Sequence, residues 1–403
     1  MALKIRPAIP ASAPDSTAEK QELPDSAVSA LGLGVVTVIL LGFGLTMLYS
    51  ASFMTRGISD FTKQLIYVCV GLSAGAVVFS MGYQRLSKVC SLILYACWIL
   101  LIITLFCRET NGAQRWIRIP CPGVGELSLQ PSELAKIALC LWVANYCTHF
   151  SRSFNRFKSW YGIWPLAIHT GITCGLVALG QDLGTTVLIA SSAGLIMVAA
   201  GLYFRWFLIG VTLAFSGAAI YVLNNAERFS RVVTIFDPAK DAQGSGYQLY
   251  RGLLALGSGG WFGRGFGTSR MKTRLPEQHT DFILAVVGEE LGLVGILLVL
   301  LLYVLWGYFA VRIAAGSRNK LGLLLAFGVA MAIQLQAFIN MAVVSGAAPT
   351  KGMPAAFISY GGSNILGSLI GVALLLSVAM ENMNPNYSDK LWANVKKRLK
   401  IGQ

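Results

Sequence analysis

The sequence predicts an all-α, polytopic membrane protein with ten transmembrane helices and both termini cytoplasmic. Three observations carry that expectation. Hydrophobic residues make up 55% of the 403 residues, and Asp, Glu, Lys and Arg only 12%, about half the roughly 25% charged share of soluble domains. Mean hydropathy is +0.64. Uncharged apolar runs of about 20 residues, long enough to cross a bilayer as helices, recur along the chain. A β-barrel would instead show short alternating segments. The basic excess, 32 Lys and Arg against 18 Asp and Glu, fits membrane topology and anionic lipid rather than nucleic acid.

In chain order, residues 1–30 carry Pro7, Pro10, Pro14 and Pro24 among small and charged residues. Such a segment cannot bury a core and reads as a disordered cytoplasmic tail. It is too polar and its apolar sequel too long for a signal peptide. Spans follow near 31–52, 62–82, 87–106, 132–148, 163–180, 183–202, 204–224, 281–312, 321–344 and 364–380, so that residues 31–380 form one transmembrane domain. An even number of spans puts both ends on one side. The short loops of that side carry Arg85, Lys88, Arg152, Arg156, Lys158, Arg205, Arg312, Arg318 and Lys320. Lys4, Arg6 and Lys20 join them from the first tail, and Lys390, Lys396, Lys397, Arg398 and Lys400 from the basic last tail, residues 381–403. The positive-inside rule makes that side cytoplasmic.

The large loop between spans seven and eight, residues 225–280, then lies outside. It nevertheless holds Arg228, Arg231, Lys240, Arg251, Arg264, Arg270, Lys272 and Arg274. A solvated surface is the plain explanation, because long loops translocate with little regard to charge. The alternative is an anionic partner such as a lipid-linked diphosphate, whose oxygens Arg binds bidentately. Gly257, Gly259, Gly260, Gly263, Gly265 and Gly267 are dense here. Without a βαβ context or a Gly-Lys-Ser/Thr they do not make a nucleotide loop. They suit a re-entrant or interfacial turn beside Trp261 and Phe262.

Carboxylates near the spans are the first place to seek function, since an uncompensated charge in the bilayer is expensive. Asp281 directly precedes the long eighth span. Asp281 to Arg312 as helix is about 46 Å against about 30 Å of hydrocarbon, which places Asp281 at the outer interface. A helix N-cap is its plain role. Glu289 and Glu290 follow deeper in the same run, as buried structural hydrogen-bond acceptors or as a proton relay. Gln130-Pro131-Ser132-Glu133 starts the fourth span, and Lys136 sits on the face of Glu133 at i+3. That is either a structural ion pair or a cation aimed into an outward cavity. Arg115, Trp116 and Arg118 stand just upstream on the same side, Asp182 is placed to cap the sixth span, and Lys351 is a further outer cation. Of the eight cysteines, six lie in or beside apolar spans as packing thiols. Cys107 and Cys121 bracket one polar loop and could pair in an oxidising compartment.

These residues fall into ordered motifs: Asn111-Gly112-Ala113-Gln114-Arg115-Trp116-Ile117, Gln130 through Lys136, Gln181-Asp182-Leu183-Gly184-Thr185, Gly244-Ser245-Gly246-Tyr247-Gln248, Leu275 through Ile283, and Ile358-Ser359-Tyr360-Gly361-Gly362-Ser363. Together they resemble the SEDS family of shape, elongation, division and sporulation proteins across the whole transmembrane region. Gly288-Glu289-Glu290-Leu291-Gly292 and Pro349-Thr350-Lys351-Gly352 look more like its division and sporulation members than its elongation members. The chain departs from the family pattern at Gln181, where many members carry proline, and at Asn364, where a small residue is common.

The resemblance implies an inverting peptidoglycan glycosyltransferase that polymerises lipid II at the outer face of the bacterial cytoplasmic membrane, for division at the septum. It implies Asp281 as general base, with Arg115, Glu133, Lys136, Asp182, His279, Lys351 and Ser363 around the lipid II and the undecaprenyl-diphosphate-linked glycan. A divalent cation, Mg or Mn, could assist the diphosphate, and no other cofactor is implied. A class B penicillin-binding protein and other division proteins are the implied partners. Three rivals stand beside this expectation, one of them an elongation-type rather than a division-type polymerase of the same family. A lipid II flippase would need polar groups at several depths, whereas these cluster at outer span ends. A non-catalytic scaffold would leave Asp281 replaceable.

Overall fold

The computed structural model describes residues 25–109, 113–121, 125–150, 162–244, 246–270, 278–350, 352–385, 387 and 390–393. Lys351, Asn111, Gly112 and Ser245 lie outside the described residues, as do residues 275–277. So do Arg152, Arg156, Lys158, Lys272 and Arg274, and the tail residues Lys4, Arg6, Lys20, Lys396, Lys397, Arg398 and Lys400.

The chain runs through α1 (Asp25–Arg56), α2 (Ser59–Met81), α3 (Tyr83–Lys88), α4 (Cys90–Thr104), strands β1 (Ile117–Cys121) and β2 (Gly125–Leu129), α5 (Pro131–His149), α6 (Trp164–Leu179) and α7 (Leu183–Ala199). It continues through α8 (Phe204–Leu223), α9 (Ala226–Val233), α10 (Tyr247–Ser258), α11 (Ile283–Ala315), α12 (Lys320–Val344) and α13 (Gly362–Met383). Every expected span has a helix at its position. Among the described residues six helices, α1, α2, α8, α11, α12 and α13, are long and apolar enough to cross a membrane, and α4, α6 and α7 are shorter apolar helices. The protein is a multi-pass helical membrane protein.

Three differences from expectation have local causes. Helix α1 begins at Asp25, inside the segment expected to be disordered through residue 30. The all-α expectation omitted the antiparallel β1–β2 hairpin, which pairs Ile117 with Leu129 and Cys121 with Gly125. Tyr67 of α2 anchors it, its hydroxyl accepting from the Ser128 N–H at 2.7 Å and donating to the Ser128 carbonyl at 3.0 Å. The outer loop contains two helices, because Asn225 caps α9 by accepting from the Arg228 N–H, and Leu249, Gly252 and Ala255 give α10 a buried face. Cys107 and Cys121 are both free thiols, like the other six cysteines.

Without hydrophobic driving force between helices in lipid, close packing needs small residues. Gly71 and Gly75 of α2 supply them against α13, since a Cβ on Gly71 would meet the Leu369 side chain at 2.7 Å. Helix α13 is buried on most of its surface. Helix α8 is the opposite, with no buried residue.

Helix α11 is broken at Gly292 (φ 69°, ψ −164°). A break leaves open carbonyls upstream and open N–H groups downstream, which need partners elsewhere in the chain when they are buried. The glycine-rich turn does so. Arg264 and Gly265 donate their N–H groups to the carbonyls of Glu289 and Glu290, while Leu293 and Val294 donate to the carbonyls of Gly260 and Trp261. Backbone thus packs on backbone: a Cβ on Gly263 (φ +76°) would lie 2.1 Å from the Glu290 carbonyl oxygen. The glycine-rich turn fills this break, with Trp261 and Phe262 left exposed.

Candidate active site

Asp281 is half-buried two residues before α11. Phe282 occupies the N-cap position and makes no side-chain cap bond, so Asp281 does not serve as the helix cap. The segment is fixed on several sides. Gln278 donates to the Ala51 carbonyl of α1 at 3.3 Å, Phe282 packs on Gly252 of α10, and the His279 carbonyl accepts from the Tyr360 N–H at 2.8 Å. His279 itself is buried, with its ring 5.7 Å from that of Tyr360. Gly352 lies against the carboxylate, so close that a Cβ there would stand 3.0 Å from Asp281 Oδ2.

Gly352 also lines a cleft of about 150 Å³, together with Arg115, Gln181, Asp182, Val222, Arg228, Arg231 and Thr350. Three guanidinium-bearing residues therefore share a cleft whose wall touches Asp281. Asp182 anchors one of them. It caps α7 by accepting from the Thr185 N–H at 3.1 Å, accepts from Gln130 Nε2 at 2.9 Å, and stands 3.6 Å from Arg115 Nη1. Arg115 lies 5.3 Å from the Trp116 ring centre, and its buried Nε has no hydrogen-bond partner among the described residues. Arg228 donates to Gln181 Oε1 at 3.1 Å and stacks 3.9 Å over the Tyr221 ring. Gln181 adopts φ +65°, which a proline fixed near −65° could not take. The departure from the family pattern at this position thus carries its own backbone geometry.

Three expected substrate contacts lie elsewhere. Lys136 has a fully buried side chain. It donates to Glu133 Oε2 at 2.7 Å and to Gln336 Oε1 at 2.5 Å. It does not point into an outward cavity in this structure, because α12 and α13 close over it. Glu133 is shut in the same network, with its backbone against Gly367. Ser363 is buried and accepts from the Gln130 N–H at 2.6 Å, joining the start of α5 to the start of α13. Conversely, Arg228 and Arg231 were visible in the sequence as outer cations, but nothing there distinguished them from the other basic residues of their loop.

Glu289 and Glu290 are fully buried. Glu290 accepts from Ser50 of α1 at 2.7 Å, and Glu289 accepts from Ser269 Oγ at 2.5 Å and the Arg270 N–H at 2.9 Å. They tie the glycine-rich turn to α1 and α11. Among the described residues no group of three or more His, Cys, Asp or Glu converges that could hold a metal ion.

The chain belongs to the FtsW/RodA/SpoVE family of cell cycle proteins, whose model matches residues 32–384. It is 34% identical over 355 residues to a probable peptidoglycan glycosyltransferase FtsW of Geobacter sp. (strain M18), covering 86% of this chain and 95% of the relative. A protein of the same name from Taylorella equigenitalis is 39% identical over 335 residues, covering 80% and 88%. Among solved structures, a chain of a peptidoglycan synthase complex superposes with a TM-score of 0.74 at 25% identity, covering 88% of this chain and 98% of that one. The rod shape determining protein RodA of Thermus thermophilus superposes at 0.65 with 25% identity, covering 87% and 96%.

Proposed function

We propose that this chain is a division-type peptidoglycan glycosyltransferase that polymerises lipid II, with Asp281 as general base. The observation that carries the reading is the half-buried Asp281 carboxylate resting against Gly352, which itself lines a cleft shared with Arg115, Arg228 and Arg231. Asp281 takes the proton of the acceptor sugar hydroxyl as its oxygen attacks the donor's anomeric carbon. The bond from that carbon to the diphosphate breaks, and its electron pair leaves on undecaprenyl diphosphate. Fixed guanidinium groups stabilise the developing charge without reorganising. The diphosphate leaves without a protonating acid, which is why one carboxylate suffices where glycoside hydrolases use two. A divalent cation, Mg or Mn, would be held by the diphosphate oxygens with one or two carboxylates and would supply further neutralisation of their charge.

In this reading the ten helices at the expected span positions all cross the membrane, both termini are cytoplasmic, and residues 225–280 face outward. Lipid-linked substrates must enter sideways from the bilayer. Helix α8 suits that entry: none of its residues is buried, and Val222 near its end lines the cleft. A class B penicillin-binding protein that crosslinks the new strand and other division proteins are the partners, with the complex working at the septum. Glycan polymerisation from lipid II by the full-length chain, with and without its transpeptidase partner, tests the reading. Asp281→Asn should insert and fold yet lose polymerisation; a wild-type rate in that variant overturns it.

A further inference from the structure

Residues 352–361 are irregular backbone sunk into the bundle, where Met353, Ala355, Ala356, Phe357, Ile358 and Ser359 are all buried. Non-helical chain at this depth is tolerated only where protein groups satisfy its polar atoms. Side-chain amides do much of that work. Gln64 of α2 donates to the Ser359 carbonyl at 3.1 Å and accepts from the Gly361 N–H at 3.3 Å. Gln336 donates to the Pro354 carbonyl at 3.1 Å. Asn340, one turn further along α12, donates to the Met353 carbonyl at 2.7 Å and to the backbone carbonyl of Asp281 at 2.8 Å.

Asn340 alone of these amides reaches both chain segments that meet at the cleft wall. Both of its partners are carbonyl oxygens, so its nitrogen must face them. Its own Oδ1 is left buried with no hydrogen-bond partner among the described residues, a standing penalty that an apolar residue of similar size would avoid. The residue side chain is 1% exposed and so does not meet substrate.

We propose that Asn340 is the positioning residue of the general base: one amide group clamps the backbone of Asp281 to that of Met353, and so sets the Asp281 carboxylate against Gly352 at the cleft. Misplacing a reacting group by about 1 Å costs on the order of 10²-fold in rate. The proposal rests on Asp281 being the base. It predicts a loss confined to turnover, because the arginines that hold the diphosphate are untouched.

The experiment compares Asn340→Ala with Asn382→Ala in full-length protein, reading lipid II kinetics per folded molecule together with the melting temperature. Asn382 is the matched control, a buried amide that bonds the Ile313 carbonyl and the Arg318 N–H away from the cleft. Asn340→Ala should lower kcat about 10- to 100-fold with KM within about twofold, while Asn382→Ala keeps wild-type kcat. Should Asn340→Ala not fold, the same-sized Asn340→Asp, which has at most one proton to donate, should show the same turnover loss. Wild-type kcat in the Asn340 variant, a change in KM alone, or an equal kcat loss in Asn382→Ala overturns the proposal. An inactive Asp281→Asn beside a fully active Asn340 variant sinks this inference alone, whereas an active Asp281→Asn sinks the functional reading beneath it.

Discussion

Two ionic clusters, each pairing a basic with an acidic side chain, differ in exposure. In one, Lys136, Glu133 and Gln336 close on each other with no measurable exposure at the ammonium side chain. In the other, Arg115 is held by Asp182 while still 20% exposed, and it shares its cleft with Arg228 and Arg231. A sealed charge has its partner built in, so its removal is felt by the fold. A charge on an open cleft has donor capacity to spare for a ligand, so its removal is felt by binding. The contrast teaches that charge at the outer end of a span does not mark a substrate contact until its own partners are known.

Five expected outcomes break or sharpen that contrast. The largest is Asp281→Asn, which should lower polymerisation by about 10²- to 10⁴-fold, the usual worth of general-base catalysis, at unchanged melting temperature. Next, Lys136→Met strands the Glu133 carboxylate in the bundle and should destabilise the protein by about 3–5 kcal/mol, read as a fallen melting temperature in detergent. Gly263→Ala should follow, because its left-handed conformation alone costs about 1–2 kcal/mol in an L-residue, before the collision with the Glu290 carbonyl. Arg228→Ala should leave the melting temperature unchanged and raise the lipid II KM roughly tenfold, the scale of one charge-assisted hydrogen bond. If instead Lys136→Met keeps its stability while its KM rises, the two clusters exchange roles. Smallest is Arg118→Ala: its 3.2 Å pair with Glu126 is exposed on both sides, and thermal unfolding should register no more than about 1 kcal/mol.

Asp281 illustrates what sequence can and cannot carry. Its place before a long apolar run marked it as an outer carboxylate, and the structure puts it beside a basic cleft. The helix-cap alternative was equally consistent with the residue order and fails only because α11 starts at Ile283. The hairpin at 117–129 escaped notice because its strands are short and one of them carries a proline, which weakens the strand signal. Helices α9 and α10 were hidden in a loop whose charge count dominated the reading, although Leu249, Gly252 and Ala255 fall on one helical face. Asn340 gave no signal at all: an asparagine inside an apolar span reads as a polar interruption until both of its carbonyl partners are in view.

The order of apolar runs by itself determined the ten helices at the span positions and their sequence, because a bilayer admits few other solutions for such segments. Only the packed chain decided which charged groups face the cleft and which are closed in. It also decided that the glycine-rich turn fills the break at Gly292 and that Asn340 reaches Asp281. Those outcomes depend on contacts between residues tens to hundreds of positions apart, and linear spacing does not encode them.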